Sequence, residues 1–131
     1  FYQKIMNNKK ILIVEDEQPM LDALKDKLVS EGFVVVGARD GEEGLATAFR
    51  EHPDLILLDL IMPKMDGVSM IKNLRSDAWG HKVPVIILTN LSPDNNIIKT
   101  IEENSPAFYL VKSDWNINDI VSKIRDLLEG S

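Results

Sequence analysis

The sequence predicts a doubly wound α/β fold, a five-stranded parallel sheet with helices on both faces, and two observations carry that expectation. Short, β-branched and almost wholly apolar runs recur at residues 11–14, 33–36, 55–58, 83–88 and 108–111. Their continuous apolar character, in place of strict alternation, marks strands covered on both faces. The intervals between them carry helical periodicity, so strand and helix alternate five times. Short connections between such units force right-handed crossovers, and ligands of the resulting sheets bind at the carboxyl ends of the strands.

Each interval can be read in turn. After the first run, Leu21, Leu24 and Leu28 share one helical face and Gly32 follows as the C-cap. Asp40-Gly41 opens a second helix carrying Leu45, Ala48 and Phe49 before Pro53 stops it, and a third carries Val68, Ile71 and Leu74 after Gly67. Ser92-Pro93-Asp94 starts the fourth, and the last bears Ile117, Ile120, Val121, Ile124, Leu127 and Leu128 as one apolar stripe. Periodicity alone does not separate a flavodoxin-like sheet from part of a dinucleotide-binding one. The turn after the first strand does: it reads Glu15-Asp16-Glu17, and no G-x-G-x-x-G or G-x-x-x-x-G-K-[ST] loop occurs anywhere in the chain. The expectation is therefore flavodoxin-like.

Composition narrows the function classes. A chain of 131 residues with 44% hydrophobic content suits one domain with a substantial core. A formal charge of −6 leaves no basic stripe for a phosphate backbone, so direct nucleic-acid binding is not expected. The absence of cysteine removes disulfide frameworks, thiol catalysis and thiolate metal sites. His52 and His81 are too few for a histidine metal cluster, and with Trp79 and Trp115 they are assigned surface or packing roles. The methionines read as core or loop filler. No apolar run approaches the roughly 20 residues of a membrane helix, and residues 1–10 lack the core of a signal peptide. A cytoplasmic location without membrane contact is expected. Because the sequence starts at Phe1 and ends at Gly130-Ser131, its ends read as trimmed, which leaves open both a free-standing domain and a longer natural chain.

The residues just past each strand carry the chemistry: Glu15 and Asp16 after the first, Asp59 after the third, Thr89 and Asn90 after the fourth, Lys112 after the fifth. All should converge on one rim. Three close carboxylates repel in a medium of reduced dielectric, and a hard divalent cation relieves that repulsion. Magnesium, which takes oxygen ligands and is commonly held by one or two carboxylates, suits the set. Asp59, ending an apolar strand beside such a cation, is the candidate nucleophile toward phosphorus. The transition state spreads negative charge over three equatorial oxygens, which Lys112, the Thr89 hydroxyl and the ion are placed to stabilise. Singly, each residue has an ordinary explanation: acids at a helix start, a strand-ending cap, a solvated lysine. Their joint order at successive strand ends is what argues for a site.

The segments Ile11-Leu12-Ile13-Val14-Glu15-Asp16-Glu17, Asp59-Leu60-Ile61-Met62-Pro63-Lys64-Met65-Asp66-Gly67, Leu88-Thr89 and Val111-Lys112 resemble the signatures of bacterial response-regulator receiver domains, over nearly the whole chain after Lys10. The resemblance implies a receiver domain over 10–129, an N-terminal extension at 1–9, a tail at 130–131 and strand order 2-1-3-4-5. It implies Asp59 as phosphoacceptor, and Asp16, Asp59, the Ile61 carbonyl and, through water, Glu15 as the magnesium set. Thr89 and Lys112 would contact the phosphoryl group, and Tyr109 would be the aromatic that turns inward as the threonine moves. The implied partners are a sensor histidine kinase or phosphotransfer protein, and an effector or second copy at the face of the fourth helix, fifth strand and fifth helix, including the surface of residues 95–103. The implied activity is a switch, not a turnover enzyme.

Several positions depart from the family pattern. The usual proline after the lysine, joined through a cis bond, is replaced by Ser113, which leaves either a trans bond with a shifted loop or a strained cis bond costing about 3–4 kcal/mol. Asn90 stands where a small residue is common and would narrow access to Asp59 for bulky donors. Ile61 and Leu91 are apolar where polar side chains could orient water, which predicts slow self-dephosphorylation. Two rival functions follow from the same residues: a pseudo-receiver that binds partners without receiving phosphate, and a hydrolase with a transient aspartyl-phosphate. The second needs a further acid or base, for which Asp66 is the nearby spare, though it looks committed to a turn.

Overall fold

The computed structural model describes residues 8–90 and 94–129. The expected start of the fourth helix at Ser92-Pro93, the apolar Leu91, most of the N-terminal extension and the tail lie outside the described residues. The strands are β1 (Lys10–Val14), β2 (Val34–Ala38), β3 (Leu55–Leu58), β4 (Val85–Thr89) and β5 (Ala107–Val111). Between and after them run α1 (Gln18–Ser30), α2 (Gly41–Glu51), α3 (Gly67–Arg75), α4 (Asn95–Glu103) and α5 (Ile117–Glu129). The five strands form one parallel sheet in the order β2-β1-β3-β4-β5, the flavodoxin-like arrangement that the sequence implies.

Side-chain alternation divides the core into two layers. Ile11, Ile13, Leu55, Leu57, Ile86 and Leu88 point to one face, where Leu21, Leu24 and Leu28 of α1 meet Ile120, Val121 and Ile124 of α5. Leu12, Val14, Ile56, Leu58, Val85 and Ile87 point to the other, covered by Ala48 of α2 and by Met70, Ile71 and Leu74 of α3. Each fully buried Leu or Ile contributes about 1.5–3 kcal/mol through removal of apolar surface from water.

Local signals end the helices where they are expected. Asp40, Asp66 and Asp94 cap α2, α3 and α4, each carboxylate accepting a backbone N–H three residues on. Gly32, with φ 100°, follows the last turn of α1. Three expectations need correction. The apolar run 33–36 predicts a strand covered on both faces, but β2 starts at Val34, lies at the sheet edge and leaves Val34 40% exposed; an apolar run does not distinguish an edge strand from a central one. Phe49, read as part of the apolar face of α2, is 38% exposed and lies edge-on to Trp79, on which His52 stacks at 4.3 Å. The strand expected from Val83 begins two residues later, at Val85.

Candidate functional site

Parallel register brings the carboxyl ends of β1, β3, β4 and β5 to one rim, and the backbone ladder runs just past the strands. The Glu15 amide donates to the Ala38 carbonyl at 3.0 Å, and the Asp59 amide to the Val14 carbonyl at 3.1 Å. The first bond ties the end of β1 to β2 and the second sets the end of β3 beside it, and Glu15, Asp16 and Asp59 each offer an oxygen within 4.8 Å of the others. The chain then turns back sharply: the Gly67 amide donates to the Leu60 carbonyl at 2.9 Å, and a Cβ at Gly67 would sit 2.4 Å from the Asp59 carbonyl oxygen. Only glycine allows this close return. Asp66 is engaged in that turn through its bond from the Ser69 amide, at 2.7 Å.

A cleft of about 170 Å³ is lined by Asp16, Glu17, Asp59, Ile61, Thr89, Asn90 and Lys112. Lys112 Nζ bridges the acids, donating to Asp59 Oδ2 at 3.1 Å and pairing with Glu15 Oε1 at 2.5 Å. It does so although the Lys112–Ser113 peptide is trans and the chain continues into a single 3-10 turn, Lys112–Asp114. Asp59 Oδ1 accepts from the Ile61 amide at 3.3 Å. Thr89 is buried at the end of β4, while the Ile61 side chain is 60% exposed.

The electrostatics follow from this packing. Burial pushes Glu15 up to about 7; the hydrogen bond from Lys112 opposes that rise and the charge of Asp59 adds to it. Burial pulls Lys112 down, but its bonds to Glu15 and Asp59 outweigh burial and leave it above the ordinary lysine value. An excess of carboxylate oxygens around one lysine is the donor set a hard divalent cation takes, so the residues present fit magnesium. The site thus combines a strand-end carboxylate, a cation beside it, a buried hydroxyl and a set of acid oxygens, the kinds of group that phosphoryl transfer requires.

Most of the expected residues meet here: Asp16, Asp59, Ile61, Thr89 and Lys112 line the cleft, and Glu15 joins it through Lys112. Tyr109 does not line it. It pairs in register with Ile87 and lines a neighbouring groove of about 400 Å³ with Ile98, Ile101 and Glu102. Its hydroxyl is buried without a hydrogen-bond partner among the described residues, and burial followed by the charges of Asp59 and Asp94 raises its pKa. Glu17 was not singled out from sequence; it lines the cleft because α1 starts one residue later. Its place in the run after β1 was the available signal.

Comparison with known proteins agrees with this geometry. The family model described as the response regulator receiver domain matches residues 11–125. The chain is 44% identical over 124 residues to the alkaline phosphatase synthesis transcriptional regulatory protein PhoP of Bacillus subtilis, covering 95% of this chain and 50% of that one. It is 37% identical over 123 residues to the probable transcriptional regulator ycf27 of Porphyridium aerugineum, covering 94% and 49%. It spans about half the length of these curated relatives. Among solved structures, a CheY-like response regulator receiver domain protein from Methanospirillum hungatei superposes with a TM-score of 0.85 at 29% identity, covering 95% of this chain and 96% of the other.

Proposed function

Because the chain belongs to the response-regulator receiver domain family, we propose that it is the phosphorylation switch of a two-component system, with Asp59 as the acceptor of a phosphoryl group from a histidine kinase or phosphotransfer protein. The observation that carries this reading is the convergence of the Glu15, Asp16 and Asp59 oxygens within 4.8 Å, with Lys112 bridging Glu15 and Asp59. An Asp59 carboxylate oxygen attacks phosphorus, the new O–P bond forms as the P–N bond to the donor imidazole breaks, and the imidazole leaves with its electron pair and takes up a proton. Lys112 Nζ, already on Asp59, exchanges part of that contact for the incoming phosphoryl oxygens. The Thr89 hydroxyl provides a further donor at the rim. Asp16, Asp59 and the Ile61 carbonyl would hold magnesium, with Glu15 acting through water, and the bound ion would offset the charge of the acids and the phosphoryl group.

The switch then depends on a face that binds partners differently in the two states. The α4–β5–α5 face suits that role: α4 has no fully buried side chain, and Tyr109 opens on the groove beside it. Its occupant would be an effector or a second copy of the chain. Asn90, exposed on the rim of the cleft, would slow bulky donors, and the exposed apolar Ile61 orients no water, so the phosphoryl group is lost slowly. The protein thereby acts as a stoichiometric acceptor.

Intact-protein mass after incubation with acetyl phosphate or phosphoramidate and magnesium tests the reading. One added phosphoryl mass is expected, absent from Asp59→Asn and from a chelated control, and lost faster from Ile61→Asn. No adduct together with no magnesium binding would instead support a phosphorylation-independent interaction module. Multiple-turnover phosphate release from a general substrate would favour a hydrolase.

A further inference from the structure

The two loops that carry the acids, 15–17 after β1 and 59–66 after β3, are held by more than the Lys112 bridge between Glu15 and Asp59. Both reach a third point that contributes no group to the cleft, the corner between β2 and α2. On one side, Arg39 donates from one guanidinium nitrogen to the Asp16 carbonyl at 2.8 Å and from the other to Gln18 Oε1 at 2.7 Å. On the other side, the Gly41 amide donates to the Met65 carbonyl at 3.1 Å, and Lys64 lies 3.7 Å from the Asp40 carboxylate.

The corner is itself well braced. The Asp40 carboxylate accepts from the Glu43 amide at 2.8 Å, and the Glu43 carboxylate accepts from the Arg39 amide at 3.2 Å, a reciprocal arrangement close to a capping box. Gly41 lets the β3–α3 loop approach so closely that a Cβ there would fall 2.1 Å from the Met65 carbonyl oxygen, with the Met65 carbonyl carbon at 2.7 Å. Gly44 lets the next turn of α2 press on Val14, whose methyls would lie 2.8 and 2.9 Å from an added Cβ. The corner is thus seated on β1 and grips the backbone of both loops at once.

We infer that Arg39, Asp40 and Gly41 form a positioning corner that sets the spacing between the two acid-bearing loops, and through it the affinity of the site for magnesium. This rests on the magnesium reading given above. The physical reason is that three like charges hold a mutual distance only against their repulsion, and the backbone carrying them must be fixed from outside the set. Gripping carbonyls, not carboxylates, leaves the acid oxygens available for the cation. Partners that orient a ligand without touching the metal typically change affinity by 10- to 100-fold when removed. Arg39 is exposed, so its role cannot be one of filling the core.

Magnesium titration by calorimetry, with thermal unfolding and amide hydrogen exchange of the metal-free protein, tests the inference on the parent, Arg39→Met, Arg39→Lys and Gly41→Ala. Arg39→Met is expected to bind magnesium about 10-fold more weakly, with Tm within about 3 °C of the parent and faster exchange at 16–18. Arg39→Lys, which keeps one cation but not the two-armed grip, should fall between them. Gly41→Ala is expected to speed exchange at 60–67, and Arg39→Met supplies the decision if that variant fails to fold. Parent-like affinity and exchange in Arg39→Met would overturn the corner's role while leaving the magnesium site standing. A parent that binds no magnesium overturns both.

Discussion

Helices α1 and α4 flank the same sheet, yet they hold it differently. Leu21, Leu24 and Leu28 of α1 are all buried. In α4, Ile97 and Ile101 are half-buried, Ile98 is 44% exposed and no side chain is fully buried. The strands differ in the same sense: every residue of the central β3 and of β4 is buried, whereas in the edge strand β5 only Leu110 is. Asp59 and Thr89, proposed to meet the phosphoryl group, stand at the ends of the firmly packed β3 and β4, Lys112 follows the looser β5, and the face proposed to report the group is built from α4 and β5. A segment with few buried contacts opens at low free-energy cost and is the part of a fold that a modest new interaction can shift.

The largest expected effect sets the two regions against each other directly. Leu57→Ala removes a side chain that is 1% exposed at the centre of the sheet and should cost about 3–4 kcal/mol. Ile98→Ala, on α4, should cost less than about 1 kcal/mol. Urea unfolding of both variants checks this; comparable losses would mean that α4 is as firmly seated as β3.

The next effect concerns charge on the firm side. Burial raises Glu15 from 4.5 to about 7, so the folded protein keeps a proton that the unfolded chain releases. The contribution of this group to stability is complete below about pH 4.5 and is lost as pH rises through about 7, a change on the order of 3 kcal/mol. Without metal, the parent should therefore lose more stability between pH 5 and pH 8 than Glu15→Gln does, as measured by denaturant titration. Equal losses in the two proteins would contradict the assignment. Magnesium should reduce the difference, because it favours the ionised acid.

The smallest effect lies on the loose side. The Tyr109 hydroxyl is buried without a partner among the described residues. Removing an unsatisfied polar group costs little, so Tyr109→Phe should shift stability by at most about 1 kcal/mol, toward greater stability. A loss of more than that in urea unfolding would mean that the hydroxyl has a bond in solution.

Much of this was legible in the sequence, for a physical reason. A parallel sheet needs uninterrupted apolar strands, and its ligands lie at strand ends, so reading one residue beyond each run reached Glu15, Asp59, Thr89 and Lys112 together. Other features were not legible because they depend on neighbours remote in sequence. The run at β2 has the same valines whether or not another strand covers it. Phe49 has the spacing of a core residue and instead meets Trp79 at the protein surface. Arg39 and Gly41 bind carbonyls, and a backbone carbonyl leaves no mark in a sequence. The serine after Lys112 left the peptide geometry undecided; the lysine reaches both acids through a trans bond and a 3-10 turn.

The central claim is that charge placed on Asp59 in the firm region is read in the loose one. Hydrogen exchange followed by mass spectrometry, with and without magnesium and acetyl phosphate and with Asp59→Asn as control, tests it most directly. The account predicts altered exchange in α4 and β5, little change in β1 and β3 beyond the cleft, and none of this in the Asp59→Asn protein. An Asp59-dependent phosphoryl adduct that leaves exchange in α4 and β5 unchanged would contradict it.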